Sequence, residues 1–505
     1  MKRLLLCLVA ASSLLTAAPP KPKLVVAIVL DQFRFDYTTR FRGEYHAGFE
    51  RLLTKGAVFT DARYIHVPTV TAVGHSTFLS GATPAISGIV GNDWFDRDEK
   101  KHVTSVGDSA TRLLGGEGEG SSPRRMLVDT VGDELKLADD GASRVIGVSL
   151  KDRAAILPAG HAADAAYWFD TATGNFVSST FYFADLPGWV KEFNATRPAD
   201  QYHGSQWLNH TLPAGGRALY SAIDASPFGN EVVERFAERV LEAERLGMRG
   251  VTDLLAISYS AHDYVGHAYG PYSPEEHEVS LRADRMIERL FQAIDKQVGL
   301  DNTLVVLTGD HGVAPTPESN IARKMPGGRI AANVISTAVQ SALAAKYGEG
   351  AWISGGWDLE LYLNLDLAAQ KRIDPADARR EAAAALRGVA HIFRVYTRDQ
   401  LLQGEVAADD VGRRVMNGFN QRRGADIFYI PDPYWIVGSG TSGTTHGGPF
   451  SYDNHVPVIF MGRGIRAGYY DRAIVVNDIA PTLARILEVE TPAGSIGRIL
   501  NEMFE

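Results

Sequence analysis

Along the chain, short apolar runs stop abruptly at polar residues. Leu24–Leu30 ends at Asp31, Val145–Leu150 at Lys151, Leu254–Ile257 at Ser258 and Leu304–Leu307 at Thr308-Gly309-Asp310, with a further run, Val456–Met461, near the end. Unbroken aliphatic and β-branched runs of this kind fit strands covered on both faces, as in a parallel sheet. Between them, apolar positions recur with helical period over Asn230–Leu246, Ser273–Val298 and Val476–Leu487. Strands alternating with helices predict an α/β fold, a doubly wound and mostly parallel sheet flanked by helices. Ligands of such sheets bind beyond the carboxyl ends of the strands, where Asp31, Lys151 and Asp310 fall.

Two stretches break this rhythm. Residues 157–250 are rich in aromatics and Gly, and residues 315–440 mix Gly, Arg and helix-formers. Both are expected to be inserted cap segments over the sheet edge, leaving 19–156, 251–314 and 441–505 as a discontinuous core.

The first 18 residues have a different character. Met1-Lys2-Arg3 is a positive start, Leu4–Leu15 an apolar run, and Thr16-Ala17-Ala18 a small-residue end, the layout of a cleavable signal peptide. An apolar run of 12 residues is too short to anchor in a bilayer, and no other stretch is long and apolar enough. The mature chain is therefore expected to be periplasmic or secreted, without a membrane anchor. The one cysteine, Cys7, lies inside this segment, so any metal must be held by Asp, Glu, His or hydroxyl groups. Removing Lys2 and Arg3 from the 51 basic residues, against 60 acidic, moves the net charge from −9 to −11. That balance excludes a broad basic surface for nucleic acid, and an anionic substrate would need local positive charge.

Candidate ligands lie in four clusters. In Ser260–Tyr269, Asp263 and His267 are four apart, a spacing that serves one metal from a single helical turn or an ordinary surface pair. Asp310 and His311 directly follow a strand, as ligands or as a helix cap beside a buried imidazole. Asp31 follows another strand, as a ligand or a turn former. His446 sits in the Gly-rich loop Gly443–Pro449, as a ligand where glycine lets backbone approach or as a plain loop histidine. Together, Asp31, Asp263, His267, Asp310, His311 and His446 are donors suited to zinc, and six are enough for two ions with open positions. Pro68-Thr69-Val70-Thr71 then runs into an apolar helical segment, where a threonine hydroxyl either caps the helix or has its anionic form favoured by the helix N-terminus.

With these motifs and Gly88–Trp94 in this order, the chain resembles the alkaline phosphatase superfamily, in the branch with a threonine nucleophile. It is most similar to the phosphate-irrepressible periplasmic alkaline phosphatases and also resembles the nucleotide pyrophosphatase/phosphodiesterases, over Leu24 to about Leu487. The resemblance implies Thr71 as nucleophile, one zinc on Asp263, His267 and His446, and a second on Asp31, Asp310, His311 and the Thr71 oxygen. It makes Asn92 a phosphoryl donor and leaves His75 and His455 in supporting or structural places. In the monoesterase branch a pair such as Lys151 and Arg153 contacts the phosphoryl oxygens, and two cations reward the extra charge of a monoester dianion. A sulfatase is disfavoured, since no Cys-x-Pro-x-Arg or Ser-x-Pro-x-Arg segment stands at the nucleophile. The expectation is therefore hydrolysis of small-molecule phosphate monoesters through a covalent phosphothreonine, with a phosphodiesterase or nucleotide pyrophosphatase on the same metals as the alternative. A binding module that merely kept the fold would have lost ligands or the hydroxyl, and none is missing. Phe181, Tyr182 and Trp168 are candidates to line the leaving-group side.

Overall fold

A computed structural model describes residues 20–438 and 440–504; the segment 1–18 expected to be a signal peptide, with Cys7, lies outside them. Among the described residues the main sheet has 12 strands, and its centre is five parallel strands in the spatial order Thr303–Gly309, Leu24–Leu30, Asp253–Tyr259, Val145–Ser149, Ala165–Asp170. The strand Leu24–Leu30 shows why its sequence is apolar throughout. Leu24, Val26, Ile28 and Leu30 enter one core cluster, and Val25, Ala27 and Val29 enter the other. Side chains alternate between faces, and a helical layer covers each face. Pro227–Ala243 and Pro274–Gln297 pack on one side, Ile479–Leu487 on the other.

Two expectations need correcting. The strand His455–Met461, grouped with the parallel runs on its apolar pattern, is antiparallel to both its neighbours, Thr303–Gly309 and Ala57–Arg63. A strand buried on both faces reads the same in either direction, so the pattern cannot encode its sense.

The segment 157–250 is not a cap. Its strands Ala165–Asp170 and Asn175–Ser179 extend the central sheet, and its helix Pro227–Ala243 closes one face of it. The aromatics are its packing material. Phe236 stacks on Phe176 at 3.9 Å and meets Tyr167, Trp189 and Phe193 within 5.5 Å. Trp168 is a buried sheet residue, Tyr182 packs against the same apolar cluster, and Phe181 lies under the Arg124 guanidinium at 5.5 Å.

Within 315–440, by contrast, is a separate four-stranded antiparallel sheet, in the order Ile353–Trp357, Glu360–Leu363, Ile427–Pro431, Ile392–Thr397. The helices Ala332–Tyr347 and Pro375–Arg387 pack on it through Val339, Leu343, Ala382 and Leu386. This unit touches the main body at the loop before Thr71, where Asn417 Nδ2 donates to the Ile65 carbonyl at 2.7 Å. No helix among the described residues is long and apolar enough to cross a membrane.

Because Phe236 belongs to the main core, Phe236→Ala should lower the stability of the principal unfolding transition by about 3–5 kcal/mol. Denaturant unfolding followed by tryptophan fluorescence reads this. A separate low-stability transition with the main one unmoved would restore 157–250 as an independent cap.

Candidate functional site

Four neighbouring parallel strands deliver their ends to one place. Asp31 follows Leu24–Leu30, Asp310 and His311 follow Thr303–Gly309, Lys151 follows Val145–Ser149, and Asp253–Tyr259 leads into the helix Ala261–Tyr269 with Asp263 and His267 on one face. His446 arrives on its Gly-rich loop, which is clamped to the segment before Thr71. Thr69 Oγ1 donates to the Gly448 carbonyl at 2.9 Å. All six expected ligands therefore converge although sequence separates them widely.

The imidazoles are aimed by the backbone. His267 Nδ1 donates to the Thr444 carbonyl (2.9 Å), His446 Nδ1 to the Thr69 carbonyl (2.8 Å) and His311 Nδ1 to the Gly312 carbonyl (3.0 Å). A carbonyl only accepts, so each ring carries its proton on Nδ1 and turns the Nε2 lone pair inward, the arrangement that orients metal-binding histidines. The Nε2 atoms of His267 and His446 face each other at 3.2 Å and lie 3.2 and 3.4 Å from Asp263 Oδ1. A tetrahedral ion with bonds of about 2.0–2.1 Å has ligand–ligand edges of about 3.3 Å. These three atoms match that spacing.

A second set centres on His311. His311 Nε2 lies 3.5 Å from Asp31 Oδ1 and 3.4 Å from Asp310 Oδ2, and all three atoms are buried without a hydrogen-bond partner. Asp263 stands between the two sets, close enough to join Asp31 and His311 as well. The residues present are of the kind and spacing that hold divalent metal.

Charge supports the same conclusion. Burial and the neighbouring Asp310 charge hold the Asp31 carboxyl well above the usual carboxylate range. Burial pushes in the same direction on Asp263, but Lys151 and His267 hold it well below. His311, pushed by burial down to about 3, is a neutral donor at neutral pH. Lys151 bridges the carboxylates, with its ammonium 2.7 Å from Asp31 Oδ2 and 2.6 Å from Asp263 Oδ2. One lysine against three buried carboxylates leaves negative charge that cations would balance.

Thr71 is the first residue of the helix Thr71–Ser80, whose N-cap is Val70 with no side-chain cap. Neither Thr69 nor Thr71 caps the helix, so the Thr71 hydroxyl stands at the positive end of the helix, 3.4 Å from Lys151 Nζ. His75, one turn on, supports this start by donating from Nδ1 to the Thr71 carbonyl at 2.8 Å and pairing with Ser258 Oγ at 2.8 Å. Asn92 reaches the same helix start, its Oδ1 accepting from Ala72 N at 2.9 Å. Arg153, in the first turn of Asp152–Ala159, has a buried Nε without a partner and only a 3.9 Å approach to Asp152. His455 lies apart, stacked on Phe35 and bonded to the Thr60 carbonyl.

One residue of the cluster was missed. Gln32 has a left-handed backbone, φ 66°, from which its amide donates to Asp310 Oδ1 at 2.9 Å while its side chain donates to Asp263 Oδ1 at 2.6 Å. It ties the two ligand sets together. The only sequence signal is a polar residue directly after a strand-end Asp.

The fold and the site define a hydrolase of α/β architecture with Asp/His clusters able to hold metal around a helix-start threonine. The chain belongs to the type I phosphodiesterase / nucleotide pyrophosphatase family, whose model matches residues 25–453, within the alkaline phosphatase superfamily. It is 35% identical to alkaline phosphatase PhoV of Synechococcus elongatus, over 96% of this chain and 93% of that one. It is 34% identical to alkaline phosphatase PafA of Elizabethkingia meningoseptica, over 97% and 96%. The crystal structure of wild-type alkaline phosphatase PafA superposes with a TM-score of 0.90 at 33% identity, covering 97% of this chain and 100% of that one.

Gly74 seats the helix Thr71–Ser80 against the end of the strand Thr303–Gly309, since a Cβ there would lie 2.2 Å from the Asp310 carbonyl oxygen. Gly74→Ala should therefore cost about 1–3 kcal/mol by overpacking, read as a lowered denaturation midpoint; an unmoved midpoint would mean that the helix is not seated there.

Proposed function

We propose that this chain is a zinc-dependent phosphate monoester hydrolase, an alkaline phosphatase acting through a covalent phosphothreonine on Thr71. The observation that carries this reading is the Thr71 hydroxyl at a helix start, 3.4 Å from the Lys151 ammonium, inside a ring of buried carboxylates and inward-facing imidazoles. Asp263, His267 and His446 would hold one zinc, and Asp31, Asp310 and His311 the other beside the Thr71 oxygen. Bound there, the pair supplies Lewis acidity that lowers the pKa of a hydroxyl or water and offsets charge on the attacking and leaving oxygens.

The chain's own groups do the rest. Thr71 Oγ forms the new bond to phosphorus as the ester oxygen departs, and the hydroxyl proton ends on the released alcohol. Water then attacks phosphothreonine, releasing inorganic phosphate and restoring the hydroxyl. Lys151, once its carboxylates are engaged by cations, offers a point charge to the phosphoryl oxygens. Arg153 offers a guanidinium with unused donors, and Asn92 an amide. Such donors stabilise the equatorial oxygens, where most catalysis of phosphoryl transfer lies. We read the first 18 residues as an export signal, which places the enzyme in the periplasm or outside the cell.

The alternative, a phosphodiesterase on the same metals, is favoured by the description of the family model. The two differ in the phosphoryl charge to be met, and two cations favour the dianion.

Prolonged dialysis against EDTA should abolish hydrolysis of p-nitrophenyl phosphate and zinc should restore it, while Thr71→Ala should lower kcat by at least about 100-fold yet retain phosphate binding. Full activity after chelation, or an unchanged rate without the hydroxyl, would refute the mechanism. Replacing Lys151 and Arg153 together by Ala should reduce monoester kcat/KM at least about tenfold more than that of bis-p-nitrophenyl phosphate. Equal losses would favour the diesterase.

A further inference from the structure

The inserted unit reaches the site with one carboxylate. Trp357 pairs with Glu360 across a two-residue turn, and the turn residues Asp358 and Leu359 both have left-handed backbones, φ 45° and 72°. A type I′ hairpin turn needs this conformation and usually places glycine second. A leucine there is strained, and strain of this kind concentrates where structure holds a functional group in place. The turn is seated on the segment around Asn92, where Trp357 packs on His102 at 4.8 Å. From it, Asp358 Oδ2 accepts a hydrogen bond from the backbone amide of Asn92 at 3.3 Å. It lies so close to this backbone that a Cβ on Gly91 would come within 3.1 Å of it.

Asn92 is thereby held at three points. Its Oδ1 accepts from Ala72 N at 2.9 Å, its carbonyl accepts from Ser105 N at 2.8 Å, and its amide donates to Asp358. Among the described residues its side-chain Nδ2 has no protein partner, so the two Nδ2 hydrogens are the donors left for a ligand. Two of the three holds come from the body that carries Thr71. The third comes from the inserted unit, 266 residues further along the chain.

We propose that Asp358 is a positioning residue for phosphoryl transfer, holding the Asn92 donor in register with Thr71 and making the inserted unit part of the active site. The inference rests on the reading of Asn92 as a phosphoryl donor given above. Asp358 touches neither substrate nor metal in this account and acts only through the Asn92 backbone. An isosteric amide, which keeps an acceptor oxygen and tolerates the left-handed backbone, therefore serves in its place.

A double-mutant cycle tests this on zinc-loaded full-length protein, reading kcat/KM for p-nitrophenyl phosphate and its bis ester together with the inhibition constant of inorganic phosphate. Asp358→Ala should lower kcat/KM about tenfold and weaken phosphate inhibition. Asn92→Ala should lower kcat/KM about 100-fold. The double variant should fall no further than Asn92→Ala, because the residue positioned is already gone. Asp358→Asn should restore activity to within about threefold of the wild type, which keeps the test decisive if the alanine variant folds poorly. Losses that multiply to about 1,000-fold, or an Asp358→Asn variant as impaired as the alanine one, would overturn the proposal. Wild-type protein that turns over neither ester would instead sink the proposed function, while phosphate affinity measured by calorimetry in the same four variants would still decide the role of Asp358.

Discussion

Three carboxylates, Asp31, Asp263 and Asp310, are buried within reach of one another with a single lysine among them. Placing like charges together in a dry interior is unfavourable unless cations and hydrogen bonds compensate. The surrounding structure supplies that compensation where the chain can. Gln32 donates to two of the three, Lys151 bridges two, and three imidazoles turn their lone pairs inward because backbone carbonyls hold the opposite nitrogen. The sheet makes such crowding possible. Neighbouring parallel strands run about 4.8 Å apart, so side chains at adjacent strand ends meet without loops having to find one another.

Much of this was legible in the chain itself. Apolar runs ending in Asp, Lys or Asp-His mark strand ends, and a strand end in a doubly wound sheet is where ligands gather. The runs carry no direction, which is why His455–Met461 reads like its parallel neighbours while running against them. Aromatic richness misled in a similar way. In 157–250 it reads as a lid over a ligand, whereas Tyr167, Phe176 and Phe236 pack one face of the sheet. Composition shows that apolar area must be buried, but not against which partner.

The residues that escaped sequence reasoning share a physical reason. Gln32 acts through a left-handed backbone and Asp358 through a turn of the same hand, and neither belongs to a motif with a characteristic spacing. Their contacts join positions 278 and 266 residues apart, and nothing local in either stretch announces the meeting. The histidine partners are equally silent, because a backbone carbonyl belongs to every residue type.

The chain leaves the cluster at His311 and comes back to it at His446, so the whole unit carrying the second sheet hangs as one long excursion whose two ends are pinned by the same pocket. Closing a long loop costs only logarithmically more as the loop grows. An excursion tethered in this manner is free to lengthen or shrink, away from its contacts at Asn92 and Ile65, with little penalty for the histidines at its base. Only the parts of the excursion away from the Asp358 turn are open to diversification without disturbing the groups around Thr71.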